Sequence, residues 1–177
     1  MRTPPVVGPA SSVSRIVEGP FDRAVCNAAF WQFSSPRAVL DGVRAVLEPG
    51  ARFVFNVPAE RIEGERAPLH PFQIALARAL EESSGRPFPT SPAMLRTDRV
   101  LDTLRETGFD PDEPSRLTHR GRQAELMDLM AIPAMLSPLA PELSEELLHE
   151  AWEKARARSD PDESVEVEWI YFVARRE

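Results

Sequence analysis

Apolar positions in this 177-residue chain change their spacing several times, and each change marks an element. Ala24, Val25 and Cys26 form an unbroken apolar run, which predicts a strand near residues 22–27 covered on both faces. Ser35 and Pro36 then supply a helix start: a small polar residue caps the first amides, and a proline stands where its missing N–H is not needed. Val39, Leu40, Val43, Val46 and Leu47 recur at helical spacing and give that helix one apolar stripe. Pro49 and Gly50 are expected to end it, and Phe53, Val54 and Phe55 to begin a second buried strand near residues 52–57. Together these make a βαβ unit. Its strands run parallel through a right-handed crossover, and ligands of such sheets sit outside the carboxyl ends of the strands. Here those ends are residues 27–31 and 56–58.

Outside this unit the pattern is plainer. Residues 1–19 are rich in proline and serine and read as irregular, with one apolar patch at residues 13–17. After a polar stretch at residues 59–68, His70 and Pro71 open a helix whose Phe72, Ala75, Leu76, Ala79 and Leu80 form a stripe. Four residues, Gly85, Pro87, Pro89 and Pro92, make residues 83–92 a loop. Thr97 caps a helix bearing Val100, Leu101 and Leu104, and Gly108 supplies its left-handed ending with Phe109 folding back. Residues 110–114 read as a turn and residues 115–120 as a thin strand pattern. Residues 123–130 and 142–158 are helical, the latter with Leu143, Leu147, Leu148, Ala151, Trp152 and Ala155 on one face. The run VEVEWIYFVA, at residues 165–174, alternates and then turns solidly apolar, as a strand entering a sheet does.

Composition narrows the class. With 42% apolar and 28% charged residues the chain is globular, and its length suits one domain. The net charge is -7 and Lys154 is the sole lysine, so no basic block points to nucleic acid. One cysteine excludes an internal disulfide, and Cys26 reads as a core residue. His70, His119 and His149 do not stand at a metal-ligand spacing, so no metal is expected. No apolar run nears the roughly 20 residues that span a bilayer, and the amino terminus carries no export pattern, so the cytoplasm is the expected location.

The phrase FDRAVCNAAFWQF, a helix, and then VLEPGARFVFNVP resembles the fourth strand, following helix and fifth strand of class I S-adenosylmethionine-dependent methyltransferases. In that family the phrase is close to FD.V..N...H.F, followed by RVLKPGG.F. Weaker similarity continues through LDTLRETGF, before the family's sixth strand, to its last strand at residues 165–174. The resemblance therefore covers the carboxyl-terminal half of the family. None of the eight glycines stands in a G-x-G pair. Fewer than about 20 residues precede the first strand, against ~30 for a βαβ unit, so the cofactor half has no counterpart in this chain. The expected fold is α/β: an incomplete Rossmann-like sheet of about three to four strands with flanking helices. The methyltransferase-like domain spans 20–177 and carries a helical lid insertion at about 121–158. Without a neighbour, the strand at residues 24–26 becomes a sheet edge where a second copy or a complementing subunit pairs, unless residues 13–17 cover it.

The resemblance implies S-adenosylmethionine as cofactor, a small-molecule methyl acceptor as substrate, and a pocket at the strand ends. Asn27 closes the first strand and would face the reaction centre; asparagine there is also ordinary turn chemistry. Ala28 follows it. Phe30 and Trp31 would wall the pocket, where an aromatic face attracts a sulfonium by roughly 0.5 to 2 kcal/mol, although Phe30 also suits the core. Asn56 holds the rim position at the second strand's end, or simply terminates pairing there. His70 is placed to act as a base or merely to cap its helix. His119 and His149 carry less, and Trp152 sits at core spacing. Two functions follow: the substrate-side half of a small-molecule methyltransferase, or a non-catalytic remnant or partner subunit that serves as an interaction module.

Overall fold

The computed structural model describes residues 5–62, 70–87, 95–137 and 139–177. Its elements are α1 (Val13–Ile16), β1 (Phe21–Cys26), α2 (Pro36–Val46), β2 (Leu47–Pro58), α3 (Pro71–Ser84) and α4 (Thr97–Glu106). They continue with β3 (Phe109–Pro111), β4 (Ser115–Arg122), α5 (Gln123–Met130), α6 (Pro133–Leu136), α7 (Glu145–Ala157) and β5 (Ser164–Arg176). Two compact units emerge: Met1–Arg66 with Ala93–Leu117 and Glu168–Glu177, and Ala67–Pro92 with Thr118–Val167. Parts of the polar stretch expected at 59–68 and of the loop expected at 83–92, and residue 138, lie outside the described residues.

In the first unit, β1 and β2 pair in parallel, with Val25 opposite Val54 and Cys26 opposite Phe55. The connection is α2, whose start is fixed as the sequence requires: Ser35 accepts the Ala38 N–H and Pro36 stands in the first turn. Strand β5 runs antiparallel to both β2 and β3. The strand order is β1-β2-β5-β3, with β4 also paired to β5. This is an α/β Rossmann-like sheet, with five strands among the described residues where three to four are expected. The additional strand is β3, read from the sequence as part of a turn. Three residues ending in a proline leave no alternation to detect.

One face of this sheet is the core of the unit. Phe53, Phe55, Phe109 and Phe172 are at most 1% exposed. Phe55 stacks on Phe172 at 4.9 Å between ring centres, and Phe53 lies 6.1 Å from Phe109. Helix α2 packs on β2 and α4 on β3. They contribute Val39, Leu40, Val43 and Val46 from α2, and Val100 and Leu104 from α4. Each such side chain contributes about 1.5–3 kcal/mol by leaving water.

Three local expectations change. Helix α2 ends at Val46, so Leu47 is a buried strand residue and not the last of the helical stripe. Pro49 and Gly50 lie inside β2 instead of stopping a helix. Between the pairs Phe21–Leu47 and Arg23–Arg52, β2 advances five residues while β1 advances two, and Gly50 takes the left-handed φ of 82° that this bulge needs. Finally, β1 is not covered on both faces. It stands last in the strand order, and Val25 is 72% exposed because alternate residues of a strand point to opposite faces and Val25, opposite Val54, stands on the face away from the phenylalanine core. Residues 13–16 form the short helix α1, which packs on α2.

The second unit pairs α3 with α7, and α5, α6 and α7 occupy the stretch in which a helical insertion is expected. Its core joins Phe72, Leu76, Leu80, Met127, Leu148 and Trp152. Gln123, fully buried, is the polar pin of this unit. Its Oε1 accepts the Phe72 N–H at 2.8 Å, and its Nε2 donates to the Asp160 carbonyl at 2.7 Å and the Glu163 carboxylate at 3.3 Å. Replacing Gln123 with alanine strands the buried Phe72 N–H, removes the donor to the Asp160 carbonyl and opens a void. Urea unfolding is expected to show a loss of about 2–4 kcal/mol for Gln123→Ala.

Candidate functional site

Because β1 and β2 are parallel neighbours, their carboxyl ends open side by side. The chain leaving β1 turns there through Ala28, which takes φ 53°. Left-handed backbone costs a residue with a Cβ about 1–2 kcal/mol, so something must hold it. The Ala28 N–H donates to Asn56 Oδ1 at 2.6 Å, and Asn56 is only 3% exposed. Accepting that N–H orients the amide, since only its oxygen can take the bond. The other end of the amide, Nδ2, has no protein partner among the described residues. It also keeps contact with solvent, for Arg176 Nε is the sealed side-chain atom lacking a partner there. Asn56 thus presents a fixed donor at the strand ends.

Beyond Ala29 the two aromatic residues part. Phe30 enters the core, 1% exposed, stacked on Phe55 at 4.0 Å and edge-on to Phe33 at 5.9 Å. Trp31 stays half-buried, with its ring 6.0 Å from that of Trp169. In the β2–β5 register Trp169 lies opposite Pro58, and Tyr171 opposite Asn56. Directly opposed residues share a sheet face, so Asn56, Tyr171 and Trp169 stand on one face with Trp31 beside them. Sequence patterning missed Trp169 and Tyr171 as site residues; VEVEWIYFVA identifies a strand but not what its side chains meet. Asn27 is exposed at the end of β1. The Cys26 thiol is pushed up by burial, against the smaller downward pull of the Ala29 N–H, and stays neutral at physiological pH.

Phe30 also walls a cavity of about 230 Å³, together with Leu95, Arg96, Arg99 and Val100. His70 belongs to the second unit. It precedes α3, and its backbone N–H donates to Gln73 Oε1 at 3.0 Å. His119 lies 3.3 Å from Glu125, and His149 stacks 5.8 Å from Trp152, whose Nε1 donates to the Met127 carbonyl. Among the described residues no group of three potential ligands is placed to hold a metal ion, and no helix is long and apolar enough to cross a membrane.

No protein-family model and no curated protein matches the sequence. Solved structures do match the fold. A Bacillus halodurans protein assigned provisionally as a methyltransferase is 16% identical, with TM-score 0.50, over 95% of this chain and 69% of its own. The YcgJ protein of Bacillus subtilis is 15% identical, with TM-score 0.52, over 96% and 69%. The cyclase SpnF is 16% identical, with TM-score 0.52, over 97% of this chain but 54% of its own. The chain therefore spans little more than half of the cyclase. These likenesses establish the fold, a Rossmann-like α/β fold of the kind found in methyltransferases.

Asn56→Ala removes the acceptor for a shielded N–H at a strained residue, and thermal or urea unfolding is expected to register about 1–3 kcal/mol of lost stability. Ala28→Gly removes the left-handed penalty and adds freedom to the unfolded chain. The two changes oppose one another, leaving a net effect between zero and about 1 kcal/mol of added stability.

Proposed function

We propose that this chain is the acceptor-side part of a small-molecule methyltransferase that uses S-adenosylmethionine. The observation that carries the reading is the bond between the Ala28 N–H and Asn56 Oδ1. It ties together the two strand ends that the sequence resemblance assigns to the reaction centre. Bound S-adenosylmethionine would supply an electrophilic methyl group on a sulfonium; in-line attack on that carbon by the acceptor would break the methyl–sulfur bond, with the sulfur leaving as a neutral thioether. Such a displacement asks the protein for proximity, alignment and exclusion of water more than for a nucleophile of its own. Asn56 Nδ2 and the exposed Asn27 are suited to orient an acceptor, and Trp31 to exclude water and to face the cation. These residues fit the methyl-transfer end of the cofactor. For the amino-acid end the chain offers no G-x-G turn, so a separate element is assigned to hold it.

The exposed edge of β1 supports a second reading, in which the chain is an interaction module. Val25 is 72% exposed and Phe21 42%, on a strand with one neighbour among the described residues. An open apolar edge normally pairs, and a second copy or a complementing subunit would pair there.

Two measurements test these readings. Calorimetric titration of the 177-residue chain with S-adenosylmethionine is expected to show binding too weak to fit, while light scattering shows self-association or capture of a partner. Micromolar binding by a monodisperse monomer would refute the acceptor-side assignment. In enzyme completed by its cofactor-holding element, Trp31→Ala is expected to cut turnover about tenfold or more while shifting Tm by only a few degrees. Equal loss of both would return Trp31 to packing alone.

A further inference from the structure

We infer that Trp169 and Tyr171, with Trp31 and the Asn56 amide, form the contact surface for a flat, oxygen-bearing aromatic ring. The methyl acceptor is then of the phenol or enol class and not an amine. This rests on the proposed methyl-transfer reading only for the word acceptor; the ring contact itself stands on the geometry.

The chain separates its aromatics by kind. The buried core of the first unit is built of phenylalanine, including Phe30, Phe53, Phe55, Phe109 and Phe172. The single tyrosine and two of the three tryptophans gather instead at the strand ends, each half-buried. Tyr171 faces Asn56 across the strand pair, Trp169 is two residues along on the same face, and Trp31 lies 6.0 Å from Trp169. Directly opposite residues bring their Cβ atoms to about 4.5–5.5 Å, so the amide, the phenol and an indole fall within the span of one small ring. Rings with a polar tip suit a surface that is apolar against a ligand and wet at its margin.

Two further observations set the ligand's polarity. Asn56 is 3% exposed and its Nδ2 lacks a protein acceptor among the described residues, so it favours a ligand that brings an acceptor, as a phenol or enol oxygen does, over one that brings another donor. The positions beside the amide in the β2–β5 register offer a cation no counter-charge. Arg23 lies opposite Arg52, Arg52 opposite Arg175 and Asp110 opposite Arg175, in a row on the same face four residues along the strand from Asn56. Between that row and Trp169 the register places Val54, Asn56 and Pro58 opposite Val173, Tyr171 and Trp169, with no carboxylate among them. An ammonium would find aromatic faces but no carboxylate beside them in the register, while the oxygen of a phenol or an enol meets the amide donor.

The test follows the indole and side-chain amide signals of the full 177-residue chain by NMR, with Trp152, buried in the other unit and bonded to Met127, as internal reference. Three probes are titrated: 4-hydroxyacetophenone, cyclohexyl methyl ketone and choline. The expected result is that 4-hydroxyacetophenone alone moves the signals of Trp31, Trp169 and the Asn56 amide and leaves Trp152 in place. Trp169→Leu, at a half-buried position, is expected to weaken that binding at least tenfold, and Tyr171→Phe, which removes only a hydroxyl, severalfold. Equal binding of the saturated ketone, movement by choline, or no movement with any probe would each overturn the inference. Transfer of methyl to an amine by completed enzyme that ignores the flat probe would sink the inference and leave methyl transfer standing. Ring binding without transfer in that enzyme would do the reverse.

Discussion

The short bond from the Ala28 N–H to Asn56 Oδ1 is the constraint on which the strand ends depend. It exists because Cys26 pairs with Phe55 in a parallel register, which brings the residues just beyond each strand together. It compensates a backbone conformation that alanine otherwise avoids. Beyond Ala29 two aromatic residues then part: Phe30 stacks on Phe55, which stacks in turn on Phe172, while Trp31 lies near Trp169. Register thus fixes the bond, the bond fixes the turn, and the turn divides an anchoring ring from a presenting one.

What the sequence made legible was the part governed by local rules. Ser35 and Pro36 start α2 where a cap and a proline must, Gly108 takes φ 76° after α4, and the first two strands are parallel as a βαβ unit demands. The errors arose where a long-range contact overrides a local signal. Leu47 sits at helical spacing yet belongs to β2, because its strand pairing with Phe21 begins at once. Val25 looks interior by its neighbours Ala24 and Cys26, yet only a strand order can say that β1 is an edge. Of the candidate site, Asn56, Trp31 and Ala28 were named from the family-like phrase, whereas Trp169 and Tyr171 came into view only when the β2–β5 register put them across from Pro58 and Asn56.

The two units hold themselves together by different means. The first relies on ring against ring, from Phe30 through Phe55 to Phe172, with the apolar stripes of α2 and α4 closing over that face. The second has a mixed core in which Gln123 and the Trp152 indole satisfy buried backbone groups. Surface ion pairs such as Arg120–Glu166 and Arg158–Glu82 are short but exposed, and pairs of that kind contribute about 0–1 kcal/mol. Stability therefore resides in these two cores, and charges can vary on the surface at little cost.

Fold alone does not select the chemistry. Proteins of the same fold include one assigned to methyl transfer and one that is a cyclase, so the reaction has to be argued from side chains. At the strand ends described here those side chains are an amide with one free donor, two indoles and a phenol, and the nearby Cys26 thiol is held neutral by burial. Groups of this kind orient a ligand, shield it from water and stabilise charge at a distance; they do not attack. A reaction between a bound electrophile and a bound acceptor requires that and little more, whereas hydrolysis or acyl transfer through the protein would require an activated nucleophile with a base beside it. The proposed transfer between two ligands therefore rests on these side chains and not on the fold.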